Sequence, residues 1–245
     1  MSKPIDIWFH CWCGNDRFSV STSRLLNYMK ARIDKVIKSG LYKNTRNFFL
    51  VAHNVSDKNE FIFDDMKQLY SKVKVIKVPN PKIGDEADTL NLMIDFYKEN
   101  TEEANALYFH TKGFTYDQNS HRYKCVINWN RHMEYFLIHN WEICQKTLEE
   151  FDTDGAWLWA PTDESRKPGE PDNRKTYAGH FWWARSSYIS KRRKMEFWFD
   201  LGRGGEFWLL DTPDGKFHDI EVPYTGGYDL YQDYMCDESI FPPGW

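Results

Sequence analysis

The chain has 245 residues, 41% of them hydrophobic and 28% charged, which is enough apolar material for a substantial core and too much for a disordered segment. Its net charge of −4 supplies no global basic field, which excludes a general nucleic-acid binder. No apolar run approaches the roughly 20 residues of a membrane span, and Lys3, Pro4 and Asp6 interrupt the place where a signal peptide needs continuous apolar residues. With five cysteines in no framework spacing, the expectation is a cytoplasmic protein with no integral membrane segment.

The first half alternates strand and helix patterns. Ile5 to Cys11 is apolar and β-prone, and Gly14-Asn15-Asp16 follows as a loop. From Thr22, apolar Leu25, Leu26, Met29, Ile33, Val36 and Ile37 recur at helical spacing, with Gly40 as a C-terminal cap. Phe48 to Ala52 reads as a strand, Asn59 to Tyr70 as a helix and Val73 to Val78 as a third strand. After the turn-like Asn80-Pro81 and Gly84, Leu90, Met93, Ile94 and Tyr97 mark another helix, and Ala106 to Phe109 is the fourth strand. Strands separated by helices imply crossover units and a mostly parallel, buried sheet, whose ligands bind at the carboxyl ends of the strands.

The second half reads differently. Trp129 to Leu148 has the spacing of one long helix, and Ala156 to Ala160 of a short strand. Thr162 to Lys175 is polar, with two prolines, and reads as a loop; the tail after Asp211 is turn-rich with little periodicity. Eleven Trp, 14 Tyr and 17 Phe make 17% aromatics, with a dense patch between residues 176 and 212. Rings in such excess either fill a core or offer flat faces to the C–H side of a sugar, and composition does not choose between them. Trp182 and Trp183 are adjacent, so on a strand they face opposite sides, one toward the core and one toward a sugar or loop. No linker forces a domain split, so one domain over 1–245 is expected, with a nucleotide-binding half at 1–115 and an acceptor half at 116–245.

Dinucleotide-binding and P-loop glycine patterns are absent, as is a serine nucleophile elbow. His110-Thr111-Lys112-Gly113 directly follows the fourth strand. An ammonium suits a phosphate, a hydroxyl adds a donor, and glycine lets the backbone approach closely. The plain alternative is a strand end closed by a solvated lysine and a turn glycine. Asp85, Glu86, Asp88 and Asn91 cluster at the start of the preceding helix, where acids either face a pocket or simply favour the helix N-terminus. Alternation separates His10 from Cys11 and Cys13, so these three do not form a metal site.

Leu107-Tyr108-Phe109-His110-Thr111-Lys112-Gly113, then Trp129, Met133-Glu134-Tyr135-Phe136, Cys144 and Leu148, then Phe181-Trp182-Trp183-Ala184 and Glu206-Phe207-Trp208, together resemble a group of bacterial and large-virus glycosyltransferases. Rhamnan-synthesis glycosyltransferases carry a similar His-Thr-Lys element. The resemblance runs from the Ile5 strand to about Trp208. It implies an α/β GT-A (nucleotide-diphospho-sugar transferase) fold with a Rossmann-like, mostly parallel central sheet flanked by helices. It also implies transfer of a hexose or deoxyhexose from a nucleoside diphosphate sugar to a glycan or glycoconjugate hydroxyl, in polysaccharide or glycoconjugate synthesis. The donor side then comprises His10, Asp88, Thr89, Asn91, His110, Thr111, Lys112 and Gly113, and the acceptor side His180, Trp182 and Trp183.

In that fold the loop after the fourth strand usually holds an Asp-x-Asp metal motif, whereas this chain has His110-Thr111-Lys112. Lys112 can neutralise a diphosphate directly; Mn2+ or Mg2+ stays open as a cofactor, with His110 as its one candidate ligand. Glu206 is the expected base, its carboxyl raised by flanking aromatics, with Asp211 as fallback; a structural carboxylate is the alternative. The pattern departs where its Asn before Phe-Trp-Trp is His180, where an upstream His is Thr176, and where Trp-Arg becomes Trp129-Asn130-Arg131. Two other functions fit the residues: a non-catalytic carbohydrate-binding module, and a nucleotide-sugar hydrolase or nucleotidyltransferase.

Overall fold

The structure, a computed structural model, describes residues 3–14, 21–78, 85–159, 175–195, 205–220 and 241. The first half holds β1 (Ile5–Trp12), α1 (Thr22–Lys38), a short α2 (Leu41–Asn44), β2 (Thr45–His53), α3 (Phe61–Leu69), β3 (Val73–Val78), α4 (Asp85–Glu99) and β4 (Asn105–His110). The second half adds α5 (His121–Glu134), a π-helical turn (Tyr135–His139), α6 (Trp141–Thr147), β5 (Thr153–Ala156), β6 (Leu158–Trp159) and β7 (Thr176–Tyr177). It ends with β8 (Trp182–Arg185), α7 (Ser186–Ile189), α8 (Gly205–Trp208) and β9 (Phe217–Ile220).

Seven strands form one sheet in the order β3-β2-β1-β4-β8-β5-β9. All run parallel except β8, which is antiparallel to β4 and β5. The fold is therefore the expected α/β arrangement, a Rossmann-like and mostly parallel sheet flanked by helices. Strand alternation divides the core in two. Ile7, Phe9, Leu50, Leu107, Phe109 and Trp183 face α1, α3, α5 and α6. Trp8, Val51, Tyr108 and Trp182 face α4, α7 and α8. Burial on both faces is why the strands read as near-continuous apolar runs.

Helix α1 shows how local signals set an element. Ser21 caps it by accepting the Arg24 N–H, and Leu25, Met29, Ile33 and Val36 bury one stripe. Gly40 closes it at φ 80, a left-handed conformation that glycine adopts without strain.

Three expectations are corrected. The helix expected over Trp129 to Leu148 is broken, because a π-helical turn follows Glu134 and Asn140 leaves helical geometry at ψ 30. Within the break the Leu137 carbonyl accepts Trp183 Nε1–H at 2.8 Å, so a tertiary bond replaces helical ones. The strand expected at Ala156 to Ala160 starts earlier and is cut by Trp157 at φ 55, after which β6 pairs with β7 in a separate two-stranded sheet. The tail, expected to be turn-rich with little periodicity, contributes the four-residue strand β9. Asn15 and Asp16, the Asn80-Pro81 turn with Gly84, residues 162–174 of the polar loop, and tail residues 221–240 lie outside the described residues.

The β5–β8 region leaves no room for a side chain at Gly155, where an added Cβ falls 2.4 Å from Cγ of the Tyr177 ring. That ring cannot yield, because its hydroxyl donates to His218 O and meets Thr153 Oγ1, both at 2.8 Å. Gly155→Ala is expected to lower the denaturant midpoint by an amount corresponding to about 1–3 kcal/mol, the range of core overpacking; an unchanged midpoint would contradict this packing.

Candidate active site

Three neighbouring strands carry a histidine on the same face near their carboxyl ends. On β1, β2 and β4 the residues facing α4 include Trp8, Phe49 with Val51, and Ala106 with Tyr108. The period of two then carries His10, His53 and His110 to that face at the carboxyl rim. His10 and His110 are direct partners in the β1–β4 register. The chain proceeds from β1 to β2 and β3 on one side and returns to β4 on the other, so this pair straddles the topological switch point, where open α/β sheets bind ligands.

The first turns of α4 cover these rings. Thr89, fully buried, places its hydroxyl 2.9 Å from His10 Nδ1 and 2.9 Å from His53 Nε2. A hydroxyl has one proton, so it donates to one ring and accepts N–H from the other, an arrangement suited to two neutral imidazoles. Burial pushes His10 well below its usual range and His53 down to about 4, while Glu86 pulls both the other way. Glu86 meets two further rings: His110 Nδ1 at 3.2 Å and, in a short contact, His180 Nδ1. Burial opposes its ionisation, but His110, His180 and His10 together hold the carboxyl well below the usual carboxylate range. The opposite nitrogen of His110, Nε2, donates to Gly179 O at 3.0 Å, and burial pushes this imidazole down to about 4 against the pull of Glu86.

His180 reaches the rim from the other direction. Because β8 runs antiparallel, the turn before it lies at the carboxyl ends of its neighbours. Gly179 (φ 91) and His180 (φ 59) both adopt left-handed backbone there, an uncommon state for a non-glycine residue. Among the described residues, buried Nε2 of His180 has no hydrogen-bond partner, nor does Nδ1 of His53.

The segment after β4 is fixed from several sides. Thr111 N–H donates to His10 O at 3.1 Å, and its hydroxyl accepts Trp12 N–H at 3.1 Å, joining the β1 and β4 ends. Lys112 is only 9% exposed and holds its ammonium 4.1 Å from the ring centroid of Trp129 on α5. Gly113 has φ 78, and a Cβ there would stand 2.4 Å from Val126 Cγ1. Both the backbone and the packing therefore demand glycine.

Other expected site residues are placed elsewhere or otherwise engaged. Asp88 is half-buried in α4, close to this cluster. Asn91 spends its amide on the Met195 backbone, at 2.8 and 2.9 Å, so it clamps a segment instead of lining the rim. Trp182 and Trp183 do face opposite sides, but both are fully buried. Trp182 stacks on Tyr108 at 4.9 Å and Trp183 bonds to Leu137, so neither offers a ring to an acceptor, contrary to expectation. Glu206 is half-buried on α8, and its carbonyl accepts the Thr176 hydroxyl in a short bond. Asp211 is exposed, and its carbonyl accepts from Arg192 in a depression also lined by Lys191, Arg193, Met195 and Trp208. No residue of the His110–Gly113 segment lines it.

The residues present do not fit a divalent cation. Both ring nitrogens of His110 have protein partners, and Lys112 brings an ammonium to the place of a ligand carboxylate. Among the described residues no group of three His, Cys, Asp or Glu side chains is placed to hold a metal ion. His110 is thereby corrected from metal candidate to hydrogen-bonded partner of Glu86. His53 is the rim residue that sequence reasoning did not single out, although strand parity from Val51 to His53 was available; Glu86 stood in the acidic cluster read as facing a pocket or favouring the helix N-terminus.

No protein-family model and no curated protein matches the chain. Among solved structures, it resembles a 4-diphosphocytidyl-2C-methyl-D-erythritol synthase from Anaerococcus prevotii, with 9% identity over 97% of this chain and 92% of that one, at a TM-score of 0.46. It also resembles a nucleoside-diphosphate-sugar pyrophosphorylase from Vibrio cholerae, with 12% identity over 89% of this chain and 91% of that one, at a TM-score of 0.40. Likeness at this level assigns no activity. Among the described residues no helix is long and apolar enough to cross a membrane.

The neutral histidines link stability to pH. His10 and His53 titrate below the ordinary 6.5 in the folded chain, so between about 4 and 6.5 the unfolded chain binds more protons. Stability is therefore full above pH 6.5 and falls as pH drops toward 4, by up to about 1.4 kcal/mol per pH unit for each imidazole. Denaturant melts across this range are expected to show that slope, and His53→Gln to reduce it; equal slopes in both proteins would reject neutral His53.

Proposed function

We propose that the chain is a GT-A-type glycosyltransferase, a single domain that moves a sugar from a nucleoside diphosphate sugar to a glycan hydroxyl. The observation that carries this reading is the His110–Gly113 turn at the switch point between β1 and β4, with Lys112 held over Trp129. A buried ammonium at the carboxyl rim of a parallel sheet suits the negative charge that develops on a departing diphosphate. In the proposed reaction the acceptor oxygen attacks the anomeric carbon, and the bond to the diphosphate breaks with its electron pair. Lys112 offsets that charge, and no step needs a metal ligand set. His10, Thr89 and His53 form the polar floor on the nucleoside side. Glu206 is the proposed acceptor base, supported by its position in α8, which packs against α4.

Calorimetry with UDP, GDP and dTDP tests the donor site. One of the three is expected to bind, and Lys112→Ala to weaken it about ten- to hundredfold, the value of a charge-assisted contact. Binding of none, or equal binding by the variant, would sink the diphosphate role. For the base, Glu206→Gln is expected to abolish sugar transfer with donor affinity unchanged; turnover of nucleotide sugars without any acceptor would favour a hydrolase instead.

A further inference from the structure

A chain of polar contacts behind Lys112 has no part in the reaction as described above. The Lys112 carbonyl accepts two hydrogen bonds, from Tyr28 Oη on α1 at 2.7 Å and from Asn130 Nδ2 on α5 at 2.9 Å. Arg32, one turn along α1, donates Nη2–H to Tyr28 Oη at 2.6 Å. Its guanidinium also pairs closely with Glu134, the last residue of α5, whose side chain is fully buried. Lys35 Nζ meets the other Glu134 oxygen at 2.5 Å.

The direction of each bond is forced. A guanidinium only donates and a carbonyl only accepts, so the phenol receives from Arg32 and delivers its own proton to Lys112 O. Burial raises the Tyr28 phenol against the pull of Arg32, which keeps that proton in place. A buried ion pair contributes little net stability, because desolvation offsets the attraction; what it supplies is fixed geometry. Here the geometry ends on one carbonyl, in the residue whose ammonium stands over Trp129. Trp129 and Asn130 thus grip Lys112 at both ends from adjacent positions on α5, and Gly113 beyond it is pinned against Val126.

We propose that Tyr28 is a positioning residue for the Lys112 ammonium, and that Arg32 and Glu134 act through it. This rests on Lys112 being the diphosphate contact. Tyr28→Phe in the full chain is the deciding variant, since it removes one hydroxyl and keeps the ring against Phe114. Glu134→Gln strands a buried guanidinium and is the variant that risks misfolding.

Two readouts are needed. In NMR spectra the Lys112 ε-methylene, identified by its loss in Lys112→Ala, is expected upfield under the Trp129 ring current and to move toward solvent-exposed lysine values in Tyr28→Phe. In calorimetry with UDP, GDP and dTDP, Tyr28→Phe is expected to weaken the nucleotide that binds about five- to tenfold. It should weaken it no further in the Lys112→Ala background, whereas a general loss of structure adds to the lysine effect. An unmoved ε-methylene, or additive losses, would overturn the proposal. If the unaltered chain binds none of the three nucleotides, the diphosphate reading falls, and the ε-methylene alone still decides whether Tyr28 positions Lys112.

Discussion

The β1–β4 pairing is the constraint on which the rest depends. In a parallel ladder the strand ends coincide, so pairing His10 with His110 brings two loops and two side chains to one rim. The same pairing creates the switch point, since the chain must leave β1 on one side and return on the other. Helix α4 connects β3 back to β4 across this face, and its first turns fall over the strand ends. Thr89 and Glu86 thereby meet rings contributed by β1, β2 and β4 and by the turn before β8.

The electrostatics of the rim follow from what burial permits. An unpaired buried charge is costly, so His10 and His53 are neutral and share one hydroxyl, and the carboxylate of Glu86 is surrounded by imidazoles. Lys112 keeps its ammonium against the π face of Trp129, whose ring quadrupole attracts it.

Much of this was legible in the sequence, for identifiable reasons. Strands buried on both faces and amphipathic helices leave strong periodic signals, so the elements from Ile5 to Phe109 were found close to their observed bounds. The turn at His110–Gly113 was visible because its residue types are unusual directly after an apolar strand. What was hidden depends on tertiary bonds. The π-helical turn at Tyr135–His139 follows no spacing rule and is stabilised in part by Trp183 from a strand far along the chain. The burial of Trp182 depends on a sheet neighbour, Tyr108, that no local window contains. Asn91 looked like a pocket residue because its neighbours are, yet its amide faces Met195 from across the fold.

The reversed direction of β8 has a further consequence. The six other strands of the sheet all run the opposite way and bring side chains to this rim only at their carboxyl ends. Strand β8 begins there, so the turn at Gly179 and His180 dresses the rim without carrying the framework. A left-handed backbone at φ 59 accommodates asparagine about as readily as histidine. One codon can therefore exchange an imidazole for an amide against Glu86 while the backbone stays as it is. In evolutionary terms, position 180 is a place where the chemistry of the cleft can drift faster than the architecture that supports it.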